Sequence, residues 1–582
     1  YGLEIDDRSA QLAYFAVMMK ARSKSRRIFR EKIDLNICSI QESNGFPEEA
    51  VDLLVDPERT ELENCVDRKD VEYLINVFHD AKEYGSILDV KPIDFDAIEK
   101  RLEEIKTGET IDVFELQQKN VILEKIPPLV KQTKIMSQKY DVVCTNPPYM
   151  SSSNMNNKLS IFLKGNYSKT KADLFSVFIE KCLNICKVKG YVSMITQHAW
   201  MFLVRYQSLR NIILSNTTII NMVHLGTRAF EEIGGEVVQT TSFVLNNVSH
   251  SCYKGDYIRL VDYGSSDKEM QFFNKSNLYN LLNQNDYLNM ESYIISYWVK
   301  RKVIDIFKSS ESFRKIAEPK QGMTTSDNNR FLRLWFETNI CKTGFNLSNK
   351  EEAKNSRMKW FPYNKGGGLR KWYGNNEYIV NFENDGYEMK QFHDELSKTN
   401  PGGRMKNQEY YFKQGITWSF ISTSNFGARF SKSGFIFDVG GSSVFPEENI
   451  FYYLGFLNSK VAYEFLKILN PTMNFQTSNI GALPIVCPQE RNIKKIIGDI
   501  VSQNISISKI DWDSFETSWD FQRHPILAYK QNANTIEQSF NNWSDFSGKQ
   551  FYQLKSNEEE LNRIFIDIYG LQDELTPEEE DK

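Results

Sequence analysis

The sequence has no Cys-x-x-Cys pair among its eight cysteines, and its six histidines are scattered singly. A zinc module needs such pairs and a secreted disulfide scaffold needs regular cysteine spacing, so neither is expected and no metal ligand is assigned. Cys38, Cys65, Cys144, Cys252, Cys341 and Cys487 read as isolated thiols; Cys182 and Cys186, one helical turn apart, read as a helix core face. No apolar run reaches the ~18 to 20 residues that span a bilayer, and no charged-then-apolar leader precedes a small-residue cleavage site. Charge of one sign is also lacking, since 71 Lys and Arg stand against 76 Asp and Glu. No whole-molecule field therefore draws the chain to nucleic acid or to an anionic membrane, and any such binding must be local. Together the absences predict a soluble cytoplasmic protein in a reducing compartment, without a membrane partner.

What is present is a 582-residue chain, 41% apolar and 25% charged, with 39 Phe and 28 Tyr. That composition excludes disorder, collagen and coiled coil, and the length suits two or three large domains. Tyr1 to Asp6 reads as the end of a buried strand running into a helix from Arg8. At such a junction in a nucleotide-binding sheet, an acceptor-only carboxylate takes ribose hydroxyls, which suits Glu4. Glu4 or Asp6 could equally cap the helix. The first strand and glycine-rich turn expected before such a carboxylate are not in the sequence, so the chain is expected to begin inside a domain. Lys20, Arg22, Lys24, Arg26, Arg27, Arg30 and Lys32 follow, with the pattern of a solvated helix face, then an apolar run from Leu35 to Ile40.

Residues 45–139 carry a 3.6-residue period with few β-branched runs, which predicts an inserted helical subdomain. Pro92, Asp94, Glu104 and Lys106 loosely echo a PD-(D/E)xK nuclease, but such a site needs its ExK on a strand and this one reads as helix. From Tyr140 to Leu245, short β-rich runs alternate with helices, notably 173–188, which predicts a largely parallel sheet. Val248 to Asn289 reads as a joint, a domain boundary is expected near residue 300, and the acidic end Glu578 to Asp581 reads as a solvated terminus. The expected layout is a catalytic domain over 1–300, a second domain over 301–525 and a helical segment over 526–582.

The strand Asp141 to Thr145 stops at Asn146-Pro147-Pro148-Tyr149. Neither proline can donate to a ladder, and each restricts the residue before it, so the strand end is rigid. The Asn146 amide oxygen and the Pro147 carbonyl, held side by side, can accept both hydrogens of one primary amine, while Tyr149 offers a stacking face to a planar base. That arrangement suits the exocyclic amine of a flipped adenine and its attack on a methyl donor. Alone, the tetrapeptide could be a strand-ending turn; the α/β context and the upstream carboxylate favour methyl transfer.

These residues resemble the amino-group DNA methyltransferases with an NPPY motif, and more closely the adenine-specific methyltransferases of BREX (phage growth limitation) defence systems. Tyr1 to Ala13, Tyr140 to Tyr149 and the run Trp360 to Gly374 carry the resemblance. It implies an α/β, Rossmann-like methyltransferase domain, N-terminally incomplete and with the helical insertion, followed by an α+β target-recognition domain. It further implies S-adenosylmethionine as cofactor and double-stranded DNA as partner, with other phage-defence proteins as further partners. By the same resemblance, Asn146, Pro147, Pro148 and Tyr149 are catalytic, and Glu4 with Ile5 holds the cofactor ribose. Glu42, beside Ser43, lies near the cofactor adenine, and Asp173, Leu174 and Phe175 border the cofactor and base pocket.

Gln321 to Phe331 is a turn-rich start to the second half, followed by Lys365-Gly366-Gly367-Gly368-Leu369-Arg370-Lys371. Glycines let backbone approach a groove closely, and Lys365, Arg370 and Lys371 can meet phosphate. By residues alone this could be a surface loop; the resemblance makes Lys365, Gly366, Gly367, Arg370 and Lys371 the expected DNA contacts. Gln414 to Ser419 and Asn470 to Asn479 also resemble that domain and receive no role. Two alternatives remain open: a DNA-recognition component without transfer activity, and a fused restriction-modification enzyme.

Overall fold

A computed structural model describes residues 1–582 except 32, 34, 56–65, 110, 111, 231–237, 399–404, 422–424, 471–473, 489, 531, 581 and 582. Lys32, Cys65, Pro471 to Met473 and Asp581 thus lie outside the described residues. Two compact units, Tyr1–Leu288 and Asn289–Lys582, divide the chain.

In the first unit, β1 (Gly2–Glu4) runs into α1 (Asp7–Lys24), and β2 (Ile37–Ser39) returns parallel to β1 with Ser39 opposite Glu4. Asp6 starts α1 by accepting a hydrogen bond from Ser9 N at 2.8 Å, which satisfies one orphan donor of the first turn. Helices α2 (Glu48–Val55), α3 (Arg68–Val77), α4 (Ala81–Tyr84), α5 (Phe95–Thr107) and α6 (Val113–Ser137) follow. Apolar side chains at helical spacing, such as Ile122, Ile126 and Leu129 on α6, close with Leu54, Val71, Leu74, Phe78 and Ile98 into a core of their own. Burying each such side chain contributes about 1.5–3 kcal/mol. Glu104 and Lys106 both sit on α5 and Asp94 caps it, so the ExK spacing lies on a helix.

The main sheet has six strands in the order β3-β4-β6-β5-β7-β8: β3 (Tyr140–Thr145), β4 (Cys186–Gln197), β6 (Thr240–Asn246), β5 (Thr218–Gly226), β7 (Asp256–Arg259) and β8 (Leu278–Tyr279). Helices α7 (Asn157–Asn166) and α8 (Leu174–Ile185) connect β3 to β4, and α9 (Gln207–Asn216) connects β4 to β5. Three expectations are corrected. The sheet is mixed, because β6 runs antiparallel to both β4 and β5, while β3 with β4 and β5 with β7 are parallel pairs. The helix expected over 173–188 ends at Ile185, since Cys186 already pairs with Tyr140 and the chain then bulges through Lys189 at φ 67°. The joint expected from Val248 supplies β7 and β8, anchored by the buried Tyr257 and Leu260.

The second unit is α+β. A four-stranded sheet takes the order Leu332–Leu334, Tyr378–Asn381, Trp360–Asn364, Ile436–Phe437, and a three-stranded sheet the order Ala428–Ser431, Gly415–Trp418, Ser443–Val444. Phe361, Phe382, Tyr411, Phe412 and Phe437 interlock edge-to-face in the core, the arrangement that ring quadrupoles favour. The long helix Ile536–Tyr569 belongs to this unit: Tyr569 stacks on Phe456 with centroids 5.6 Å apart, and its hydroxyl donates to Pro484 O at 2.8 Å.

Gly322, in the turn-rich stretch singled out above, lies against the strand Ile436–Phe437. A Cβ there would fall 1.8 Å from Phe437 O, which itself accepts from Met323 N at 2.9 Å. Gly322→Ala must therefore push backbone off backbone, and a loss of about 3 kcal/mol is expected in chemical denaturation of the second unit. An unchanged midpoint contradicts this packing.

Candidate functional site

The strand end of β3 is built as its prolines dictate. Pro147 is buried, Asn146 and Pro148 are exposed, and Tyr149 is half-buried. The Tyr149 hydroxyl donates to Ile195 O on β4 at 3.3 Å and lies 3.5 Å from Asn146 Oδ1. Its ring meets that of Phe175 in a T-shaped contact, with centroids 6.1 Å apart and planes at 84°. Burial pushes the Tyr149 phenol up to about 12, so it stays protonated and a donor throughout the physiological range. The structure thus brings together the four residues at the strand end with Phe175 of the Asp173-Leu174-Phe175 set. Asp173, nearly fully buried, caps α8 and accepts from Met150 N at 3.1 Å. Burial raises its pKa, opposed by hydrogen bonds from the backbone of Phe175 and Met150.

The upstream carboxylates form a second cluster at the ends of β1 and β2. Glu4 Oε1 accepts from Ile5 N at 2.8 Å; among the described residues Oε2 takes no hydrogen bond, which leaves the acceptor a ribose hydroxyl needs. The capping job falls to Asp6, whose carboxyl is held below its usual range by the Ser9 bonds. Ile5, partly exposed, has its Cδ1 over Gly85. Glu42 Oε1 accepts from Lys82 N at 2.9 Å, and Lys82 Nζ reaches Asp7 at 3.3 Å. Gln41 donates to both Asp7 Oδ1 and Ser39 Oγ at 2.8 Å. Hydrogen bonds from Ser39 and Gln41 hold the Asp7 carboxyl below its ordinary value. Asp7, Gln41 and Lys82 carried no signal in the sequence, because polar residues at loop ends fit any exposed turn. The rings of Tyr1, just before β1, and Tyr140, at the start of β3, meet edge-on with centroids 5.3 Å apart.

The expected DNA contacts of the second unit have intramolecular partners. Lys365 Nζ pairs with the buried Asp438 at 2.7 Å, a carboxylate that also accepts from Tyr363 Oη at 2.7 Å. Lys371, half-buried with 24% of its side chain exposed, pairs with Glu558 at 2.7 Å, and Trp372 Nε1 donates to the same carboxylate at 2.6 Å. Gly366, at φ 98°, presses backbone on backbone: a Cβ there would lie 2.5 Å from Gly440 O. Gly367, at φ 110°, packs on Asn375. These glycines therefore serve close approach within the unit, and Lys365 and Lys371 serve internal ion pairs. Arg370 is stacked 4.8 Å over Trp512 and 3.3 Å from Asp511, with a third of its side chain exposed. It lines a cleft of about 930 Å³ with Arg523, Gln522 and Gln550. Arg370, Lys371 and Arg523 line it together with Asp511, Asp513, Asp520 and Glu558, so the cleft carries charge of both signs. Among the described residues, no group of three or more His, Cys, Asp or Glu could hold a metal ion, and no helix is long and apolar enough to cross a membrane.

Known proteins similar to this chain give four findings. The family profile described as Eco57I restriction-modification methylase matches residues 1–230. The adenine-specific methyltransferase PglX of Lacticaseibacillus casei (strain Zhang) is 38% identical over all of this chain and 48% of its own length. The adenine-specific methyltransferase BrxX of Escherichia coli O9:H4 (strain HS) is 35% identical over all of this chain and 47% of its own. The chain thus spans about half the length of the curated relatives it matches, and the resemblance read from its motifs holds from end to end. The structure of the Type IIL restriction-modification enzyme MmeI in complex with DNA aligns with 83% of this chain and 61% of its own, at 10% identity and a TM-score of 0.47.

The Lys371–Glu558 pair gives a direct check on the internal role of the glycine loop. Glu558→Ala leaves the half-buried Lys371 ammonium and the Trp372 indole N–H without their carboxylate and is expected to cost about 1–2 kcal/mol in denaturant unfolding. A variant as stable as the parent contradicts it.

Proposed function

We propose, taking the similarity of the whole of this chain to about half of PglX and BrxX as the premise, that this chain carries the catalytic and DNA-reading parts of an adenine-N6 DNA methyltransferase. The observation that carries the reading is the end of β3, where an exposed amide, a proline carbonyl and a tethered tyrosine ring lie within four consecutive residues. Asn146 Oδ1 and the Pro147 carbonyl accept the two hydrogens of the adenine amine. Held so, its nitrogen lone pair is turned out of conjugation with the ring and toward an electrophile. Tyr149 stacks on the flipped base and offsets part of the few kcal/mol that unstacking costs. S-adenosylmethionine, when bound, supplies the methyl group. Glu4 takes its ribose hydroxyls through the open Oε2, and the Glu42 loop, fixed by Lys82, flanks its adenine.

The incomplete Rossmann-like reading of the first unit belongs to the same proposal. It is supported by two strands with uncovered edges: β1 pairs only with β2 among the described residues, and β3 exposes 63% of Val142. A strand and glycine turn between them would complete a parallel core and face the methionine end of the cofactor. The second unit is proposed as the target-recognition domain, with Arg370 the remaining phosphate candidate of the five expected contacts. Duplex DNA is the proposed partner, and host-DNA marking in phage defence, alongside other defence proteins in the cytoplasm, is the proposed setting.

Asn146→Ala removes an acceptor used at the reaction centre and is expected to lower methyl transfer at least ~100-fold while duplex affinity stays within its error. Tyr149→Phe keeps the ring and is expected to retain most transfer, whereas Tyr149→Ala loses about 1–3 kcal/mol of stacking. Label transfer and gel-shift titration read these outcomes; unchanged transfer by Asn146→Ala overturns the mechanism.

A further inference from the structure

We infer that Asp173 is a positioning residue for the loop that holds the base, not a ligand of the cofactor, an assignment that rests on the methyl-transfer reading above. Met150, the residue directly after Tyr149, has both of its backbone polar groups captured by the start of α8. Its N–H donates to Asp173 Oδ1 at 3.1 Å, and its carbonyl accepts from Leu174 N at 2.9 Å. A short antiparallel bridge extends the clamp, Ser151 pairing with Asp173 and Ser152 N donating to Ala172 O at 3.1 Å. Phe175, two residues on in the first turn of α8, sets its ring against Tyr149, and its own N–H lies 3.4 Å from the same Asp173 oxygen. One carboxylate oxygen thus fixes the backbone that leaves Tyr149 and starts the helix whose first turn wedges the Tyr149 ring.

The surroundings of that carboxylate agree with a structural job. Asp173 is 3% exposed, so its carboxylate sits away from solvent. The 167–173 segment behind it is itself tied: Ser176 Oγ donates to the carbonyl of Asp173 at 2.6 Å, and Thr170 Oγ1 donates to Glu180 at 2.6 Å. A base acceptor built on two prolines is stiff before Tyr149, and the α8 clamp makes it stiff after it as well. Misplacing reacting groups by about 1 Å costs about 100-fold in rate, which is the scale on which such a clamp acts.

The test compares three variants of the intact protein by steady-state kinetics with S-adenosylmethionine and unmethylated DNA. Asp173→Asn retains an acceptor at the same reach and is expected to keep kcat near the parent value. Asp173→Ser still caps α8 but is one atom too short for Met150, and kcat is expected to fall about 100-fold with KM for S-adenosylmethionine unmoved. Should that variant fail to fold, Phe175→Leu replaces it, and the same loss of kcat at constant KM is expected. A raised KM for the cofactor at unchanged kcat makes Asp173 a cofactor ligand and overturns the assignment. Full activity in Asp173→Ser overturns it too. Asn146→Ala run alongside separates the two levels: if it methylates like the parent, the transfer reading itself has failed.

Discussion

The strand end of β3 depends on the hydrogen bonds that the backbone of Met150 makes with the start of α8. A strand that ends on Pro147 and Pro148 has lost its ladder partners, and a loop released there would sample many conformations at a cost of about 1–2 kcal/mol per residue to fix again. The prolines remove part of that freedom in advance, and Asp173 and Leu174 hold the exit. Between these two constraints, Asn146 stays exposed while Tyr149 is tethered to β4 through Ile195 O and wedged by Phe175. A rigid acceptor pair suits an amine whose lone pair must be held out of conjugation, because selectivity for that geometry is lost as soon as the acceptors move.

The strand end was legible in the sequence because prolines and a following aromatic act locally. The same holds for the helical insertion, where Ile122, Ile126 and Leu129 keep a 3.6-residue period. Sheet order was less legible. Nothing in Thr240 to Asn246 says that this strand inserts antiparallel between β4 and β5, since strand direction is decided by pairing partners remote in sequence. Asp173 was readable as part of a motif but not by its contact, because a helix-capping aspartate and a ligand-holding one have the same neighbours along the chain.

The glycine loop of the second unit shows what local composition leaves out. Lys365, Arg370 and Lys371 among glycines have the composition of a phosphate-binding turn, yet all three cations close on carboxylates, Asp438, Asp511 and Glu558, that lie far away in sequence. Composition reports which groups can meet phosphate; only the fold reports which are already neutralised. The glycines are needed for a related reason, since Gly366 and Gly440 bring two backbones within a distance that no Cβ allows.

The most direct measurement is the chemical identity of the product when the intact protein, S-adenosylmethionine and unmethylated DNA are incubated together and the digested nucleosides are resolved by mass spectrometry. Methyl groups on the N6 position of adenine are expected, and on no other base. Methyl groups on cytosine, or none while duplex binding persists, would contradict the reading of the β3 strand end as an adenine-amine acceptor.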